Sequence, residues 1–204
     1  MNLSDYLNRG TCQCIVAEFD NTLFGWYDVL DEESMPRSTE MTFDFLTGMN
    51  WYAHNEDTCI PVQYMQEFMT YMRPKIQRAF CLSCSDWSAP YSPMTKQIIK
   101  HYKGLFDNVL FAGTREAKVD VLDRLSKTFG YSHNQILLVD SHPLTCSEAR
   151  EAGFATIAPV GIYLFVENLR KMSNPSEDFN GSSNYQQIKL DWDKPDFERD
   201  IALK

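Results

Sequence analysis

The stretch CQCIVAEFDNTL, Cys12 to Leu23, decides the fold. Cys14, Ile15, Val16 and Ala17 make an apolar run too short for an ordinary helix and bounded by polar turn residues, so it reads as a buried strand. Glu18-Phe19-Asp20 follows at once. Side chains two apart on a strand share a face, so Glu18 and Asp20 project together from its C-terminal end. In open α/β sheets ligands bind at that edge. Two carboxylates there repel each other unless a cation or a proton relieves them. The plainer alternative is a solvated strand end carrying two surface acids.

Working outward, the chain alternates strands with helices. Leu3 to Asn8 forms a short leading helix. From Pro61 to Met72, the residues Val62, Met65, Phe68, Met69 and Met72 recur at helical spacing, and Arg73-Pro74 interrupts the pattern. Its Met stripe reads as core. Arg78 to Cys84 is a second strand, followed by a helix over Pro93 to Tyr102 with Ser92 as a candidate N-cap. Asp107 to Ala112 is a third strand. Thr114 to Phe129 is the clearest helix, with Ala117, Val121, Leu122, Leu125 and Phe129 on one face and Gly130 at its end. Gln135 to Asp140 is a fourth strand ending in an acid. Ser147 to Ala152 is helical, Phe154 to Ala158 a fifth strand, and Ile162 to Met172 a last amphipathic helix. This order predicts an α/β fold: a three-layer, Rossmann-like parallel sheet with helices on both faces.

Two stretches stand outside that pattern. Residues 24–60 are rich in aromatics, Met and acids, with breakers at Gly25, Pro36 and Gly48, and read as a small insertion after the first strand. Residues 173–204 are polar, with Trp192 and Phe197 as anchors, and read as a loosely held tail. The expected organisation is one domain over residues 1–172, with the insertion acting as a minimal cap.

Composition narrows the function. The chain has 204 residues, 44% of them hydrophobic, enough for one sizeable core. A net charge of -9 disfavours phosphate backbones and anionic lipid surfaces, so neither a nucleic-acid scaffold nor a membrane role is expected. The opening MNLSDYLNRG lacks an apolar signal core, and the longest apolar stretch is broken by Pro159 and Gly161. A soluble cytoplasmic protein is the expectation. The six cysteines then read as reduced thiols. Cys81-Leu82-Ser83-Cys84 forms a CxxC, which admits a thiol-redox role or half a zinc site. The other half would have to be Cys12/Cys14, at the opposite end of a parallel sheet, so packing is the simpler reading.

Three strand ends gather at one edge: Glu18/Asp20, Ser83/Ser85 and Asp140, with Lys118 in the first turns of the clearest helix. Acids, a hydroxyl and a lysine suit Mg²⁺-assisted phosphate chemistry. The order of these elements resembles the haloacid dehalogenase-like (HAD) superfamily, most of whose members are Mg²⁺-dependent phosphatases and phosphotransferases. The D-x-D-x-T-L motif of that family is similar to Glu18-Phe19-Asp20-Asn21-Thr22-Leu23. Cys81-Leu82-Ser83-Cys84-Ser85 resembles its strand-ending serine motif, Lys118 in AKVDVLDRLSKTFGY its lysine, and Ile136 to Ser141 its acidic motif. SEAREAGFATI is similar to the helix-glycine-strand continuation, and the likeness runs from about Thr11 to Ala158.

The resemblance implies a phosphate-monoester hydrolase. Glu18, Asp20, Ser83 and Lys118 would be catalytic, Ser83, Cys84 and Lys118 would bind phosphate, and Glu18, Asp20 and Asp140 would hold Mg²⁺. The substrate would be a small phosphorylated molecule or a phosphoprotein. Two departures fall at the chemistry. Glu18 stands where the family has its nucleophilic aspartate, and its extra methylene moves the carboxylate by roughly 1.5 Å, one C–C bond. A misplacement of about 1 Å can cost on the order of 10²-fold in rate. Ser141 stands where many relatives have a second acid. The expectation is a slow or altered enzyme; the alternative is a catalytically inactive relative that binds a phosphorylated ligand or a protein partner. Trp26, Tyr27, Trp51 and Tyr52 are candidate lining residues of the cap, though packing explains them as readily. His142 reads as structural.

Overall fold

The computed structural model describes residues 3–26, 59–84 and 93–173. The expected hairpin and helix inside the insertion, the Ser92 cap, Ser85, and the tail from residue 174 onward lie outside them, as do Tyr27, Trp51 and Tyr52 and the side chain of Trp26. The chain divides into two compact units, residues 1–166 and 167–204. Of the second only residues 167–173 are described, a helical run carrying an Arg170–Glu167 ion pair at 2.5 Å.

In the first unit, helix α1 (Leu3–Asn8) leads into β1 (Cys14–Glu18), all of whose residues are buried. β2 (Phe24–Trp26) and β3 (Cys59–Pro61) pair antiparallel, so the two ends of the insertion meet as a short ribbon. Then come α2 (Gln63–Met72), β4 (Arg78–Ser83), α3 (Pro93–His101), β5 (Asn108–Phe111), α4 (Ala117–Phe129), β6 (Ile136–Val139), α5 (Pro143–Glu151), β7 (Ala155–Ile157) and α6 (Pro159–Ser173), of which the part up to Val166 belongs to this unit. Among the described residues the main sheet has five strands, all parallel, in the order β5-β4-β1-β6-β7.

That order explains why β1 is apolar from end to end. It is the central strand, with neighbours on both sides and cover on both faces. Cys14 and Val16 point with Phe80, Leu82, Ile136 and Leu138 into a cluster closed by Val121, Leu122 and Leu125 of α4 and Ala149 of α5. By alternation Ile15, Ala17, Ala79, Leu137 and Val139 face the other way, and all are wholly buried. α2 buries Met65, Phe68, Met69 and Met72, and α6 buries Ile162, Phe165 and Val166. Phe68 meets Phe165 edge-on with ring centroids 5.9 Å apart.

The chain leaves β1 toward β4 and β5, then returns to build β6 and β7 on the opposite side. Loops therefore diverge between β1 and β6 at their C-terminal ends, opening a crevice there. Glu18 closes β1 and Asp140 follows β6, so the two acids flank it.

Several boundaries differ from the sequence reading. α5 begins at Pro143 and α6 at Pro159, each about a turn earlier than periodicity predicts. Proline at the first helical position lacks only an N–H that would be unpaired anyway, so it starts a helix as readily as it ends one. α4 begins later, at Ala117, because Thr114 lies in a turn and its Oγ1 accepts the Ala117 N–H at 3.3 Å. Asp107 falls outside its strand: its carboxylate accepts from Arg73 at 2.7 Å and from the Ala79 N–H at 2.9 Å.

Candidate functional site

The turn after β1 sets the first acids. Asn21 adopts a left-handed φ of 54°, which asparagine tolerates better than most residues. This reverses the chain so that the Leu23 N–H reaches the carbonyls of Glu18 and Phe19, both at 3.2 Å. The Phe24 ring then stacks on Phe19 at 4.6 Å, and the Tyr102 hydroxyl donates to the Leu23 carbonyl at 2.6 Å. A carboxylate at the end of β1 is thus held by a packed turn.

Glu18 shares its strand face with Cys14 and Val16, the face that α4 covers, so its carboxylate points at the start of that helix. Lys118 waits there with 1% of its surface exposed. Its ammonium donates to Glu18 Oε1 and, at 2.9 Å, to Asp140 Oδ2. Asp140, wholly buried, accepts on its other oxygen from the His142 main-chain N–H at 2.7 Å. The Ser141 hydroxyl donates to Glu18 Oε2 at 3.2 Å and lies 3.5 Å from the main-chain carbonyl of Asp20. One lysine and two carboxylates, all buried, form a single network with one half-buried hydroxyl.

The electrostatics follow from burial. Desolvation, and then the charge of Asp140, push the Glu18 carboxyl well above the usual range, with Lys118 pulling the other way. For Lys118 burial favours the neutral amine, but Glu18 and Asp140 outweigh it and hold the ammonium charged, its pKa above the ordinary lysine value. Burial lowers the His142 imidazole.

The remaining predicted residues lie around this network. Glu18 stands opposite Leu82 in the β1–β4 register, so Ser83, wholly buried, comes one step beyond it at the same sheet edge. The side chain of Asp20 is buried. Cys84 is half-buried, its thiol pushed up to about 11 by burial, with Lys118, Asp20 and Glu18 all acting on it. The structure thus brings Glu18, Lys118 and Asp140 into direct contact and sets Asp20, Ser83 and Cys84 beside them. Cys12 and Cys14 sit at the other end of β1, and Cys12, Cys14, Cys81, Cys84 and Cys146 are all free thiols. Sequence reasoning registered Ser141 as a departure but not as a ligand of Glu18. The Asp140–His142 contact had a signal: an aspartate at the end of a strand accepts the backbone N–H two residues on in an Asx turn.

Among the described residues, no three His, Cys, Asp or Glu side chains group as a metal site by themselves. Mg²⁺ asks for less, one or two carboxylates completed by water and phosphate oxygens. Glu18, Asp140 and the Asp20 carbonyl are hard oxygen donors of that kind. The donor set fits.

No protein-family model matches the chain, and neither does any curated protein. Solved structures do. A HAD-superfamily hydrolase of subfamily IA from Geobacter sulfurreducens is similar over 72% of this chain and 89% of its own, at 15% identity and a TM-score of 0.50. The chain has the HAD-like fold. A HAD-family enzyme from Bacteroides thetaiotaomicron, in complex with magnesium and inorganic phosphate, is similar over 72% of this chain and 93% of its own, at 10% identity and a TM-score of 0.49. A haloacid dehalogenase-like hydrolase from Streptococcus pneumoniae is similar over 72% and 84%, at 13% identity and a TM-score of 0.49. In the HAD-like fold of this chain the Lys118 network occupies the C-terminal edge of the sheet. Among the described residues, no helix is long and apolar enough to cross a membrane.

Proposed function

We propose that the chain is a phosphate-monoester hydrolase of the HAD type, dependent on Mg²⁺ and slowed by glutamate at the nucleophile position. The observation that carries this reading is the Lys118 ammonium between Glu18 and Asp140 at the sheet's switch point. A protein does not ordinarily bury two carboxylates and a lysine for stability, because their desolvation offsets most of the attraction. A cluster of this kind in a ligand-binding crevice points to chemistry.

In this reading a Glu18 oxygen attacks phosphorus, forming an acyl phosphate as the bond to the leaving oxygen breaks. Asp20 donates a proton to that oxygen, then takes one from the water that attacks the phosphorus, releasing phosphate and restoring Glu18. Ser83, Cys84 and Lys118 hold the phosphoryl oxygens and balance their charge. Bound through Glu18, Asp140 and Asp20, Mg²⁺ would neutralise the phosphoryl oxygens. The substrate is a small phosphorylated molecule or a phosphoprotein.

A second reading has one observation behind it. All four carboxylate oxygens of Glu18 and Asp140 already hold a donor from the protein. Such a closed network suits a protein that binds a phosphorylated ligand or partner without turning it over. The purified chain, assayed for phosphate release from a generic phosphomonoester with Mg²⁺ or with EDTA, separates the two. Hydrolysis that needs Mg²⁺ and disappears in Asp20→Ala supports the enzyme. Binding without release, even at high protein concentration, supports the alternative.

A further inference from the structure

Glu18 and Ser141 are the positions at which the sequence departs from the pattern it resembles, and the structure brings them into contact. The Ser141 hydroxyl lies 3.2 Å from Glu18 Oε2 and 3.5 Å from the Asp20 carbonyl. A hydroxyl has one proton to give, and both neighbours are acceptors, so that proton is aimed into the pair with Glu18 Oε2 the nearer target. The other Glu18 oxygen takes the Lys118 ammonium. A glutamate side chain has one more rotatable bond than aspartate and so more rotamers to choose among. Separate donors on its two oxygens remove that freedom. An acid at position 141 would instead set a like charge against a carboxylate that burial already disfavours.

We propose that Ser141 is a positioning residue for Glu18: its hydroxyl holds the longer carboxylate in the orientation that Lys118 also meets, and positions 18 and 141 work as a pair. The kinetic consequence of this pairing rests on the hydrolase reading above. The pairing itself belongs to the folded chain.

A double-mutant cycle on the full chain tests it, with Ser141→Ala, Glu18→Asp, their combination, and Ser141→Thr as the conservative control. Urea unfolding reads the contact directly. Removing the hydroxyl leaves a buried carboxylate oxygen without its donor, so Ser141→Ala weakens the folding equilibrium by about tenfold. In the Glu18→Asp background, where the shorter carboxylate withdraws from Ser141, the same change costs less than about threefold. Kinetics read the positioning: Ser141→Ala lowers kcat by about tenfold with KM unchanged, and Ser141→Thr stays within about twofold of the parent. Equal unfolding effects of Ser141→Ala in the two backgrounds overturn the pairing, and a kcat loss that Ser141→Thr shares overturns the positioning role. Absence of turnover in the unmodified chain defeats the hydrolase reading and the kinetic consequence drawn from it, and leaves the unfolding cycle to decide the pairing.

Discussion

Lys118 is the residue whose removal the site should feel most. It is the cation that both Glu18 and Asp140 contact, and all three are almost wholly buried. Lys118→Met leaves two carboxylates facing each other without that cation, and we expect a loss of about 3–5 kcal/mol in urea unfolding at neutral pH. The pH dependence has a definite sign. The folded pKa of Lys118 lies above the ordinary 10.5, so its contribution is complete below that value and is lost as pH rises through the folded one. The alkaline fall in stability above about pH 10.5 should therefore be shallower in Lys118→Met than in the unmodified chain. Cys84 gives a second residue-scale prediction. Its pKa of about 11, against an ordinary 9.0, leaves roughly a hundredth of the usual thiolate at neutral pH. Alkylation at pH 7.5 should be about 10²-fold slower than for a free thiol; rapid modification, or a ready Cys81–Cys84 disulfide, would revive the redox reading. At this scale the sequence showed the acids, the lysine and the serine, because each closes or opens an element. It did not show that Ser141 would reach Glu18, since that contact spans 123 positions and depends on the parallel β1–β6 register.

Elements were legible where periodicity is strong and obscure where turn chemistry governs. β1 and α4 could be read directly, one from an unbroken apolar run and the other from a single apolar face ending at Gly130. Gly130 has a φ of 70°, which closes α4 in the left-handed conformation, and its N–H bonds to the Ser126 carbonyl. Gly130→Ala should cost about 1 kcal/mol in thermal or urea unfolding without affecting any activity. The starts of α5 and α6 were harder, because each helix opens on a proline, Pro143 or Pro159, about a turn ahead of the residues that mark it in the sequence. Asp107 shows the same limit: it reads as part of a strand, yet serves as an anchor for the Ala79 N–H at the entry to β4. Asp107→Ala removes that acceptor and the partner of Arg73, for an expected loss of ~1–3 kcal/mol in unfolding.

At the scale of the whole molecule, the sheet order explains why so short a motif organises the chain. A central first strand puts the end of β1 beside the end of β6, and α4 crosses above with its first buried residue, Lys118, over the gap. Alternating strands and helices imply a parallel sheet in the sequence alone, but the strand order, and with it the meeting of residues 18, 118 and 140, appears only in three dimensions. We propose that this meeting point hydrolyses phosphate monoesters and that Glu18 holds the rate down. The most direct measurement is Mg²⁺-dependent phosphate release by the unmodified chain and by Glu18→Asp, compared side by side. We expect slow turnover in the first and a rate on the order of 10²-fold higher in the second. No Mg²⁺-dependent release from either protein would contradict the claim.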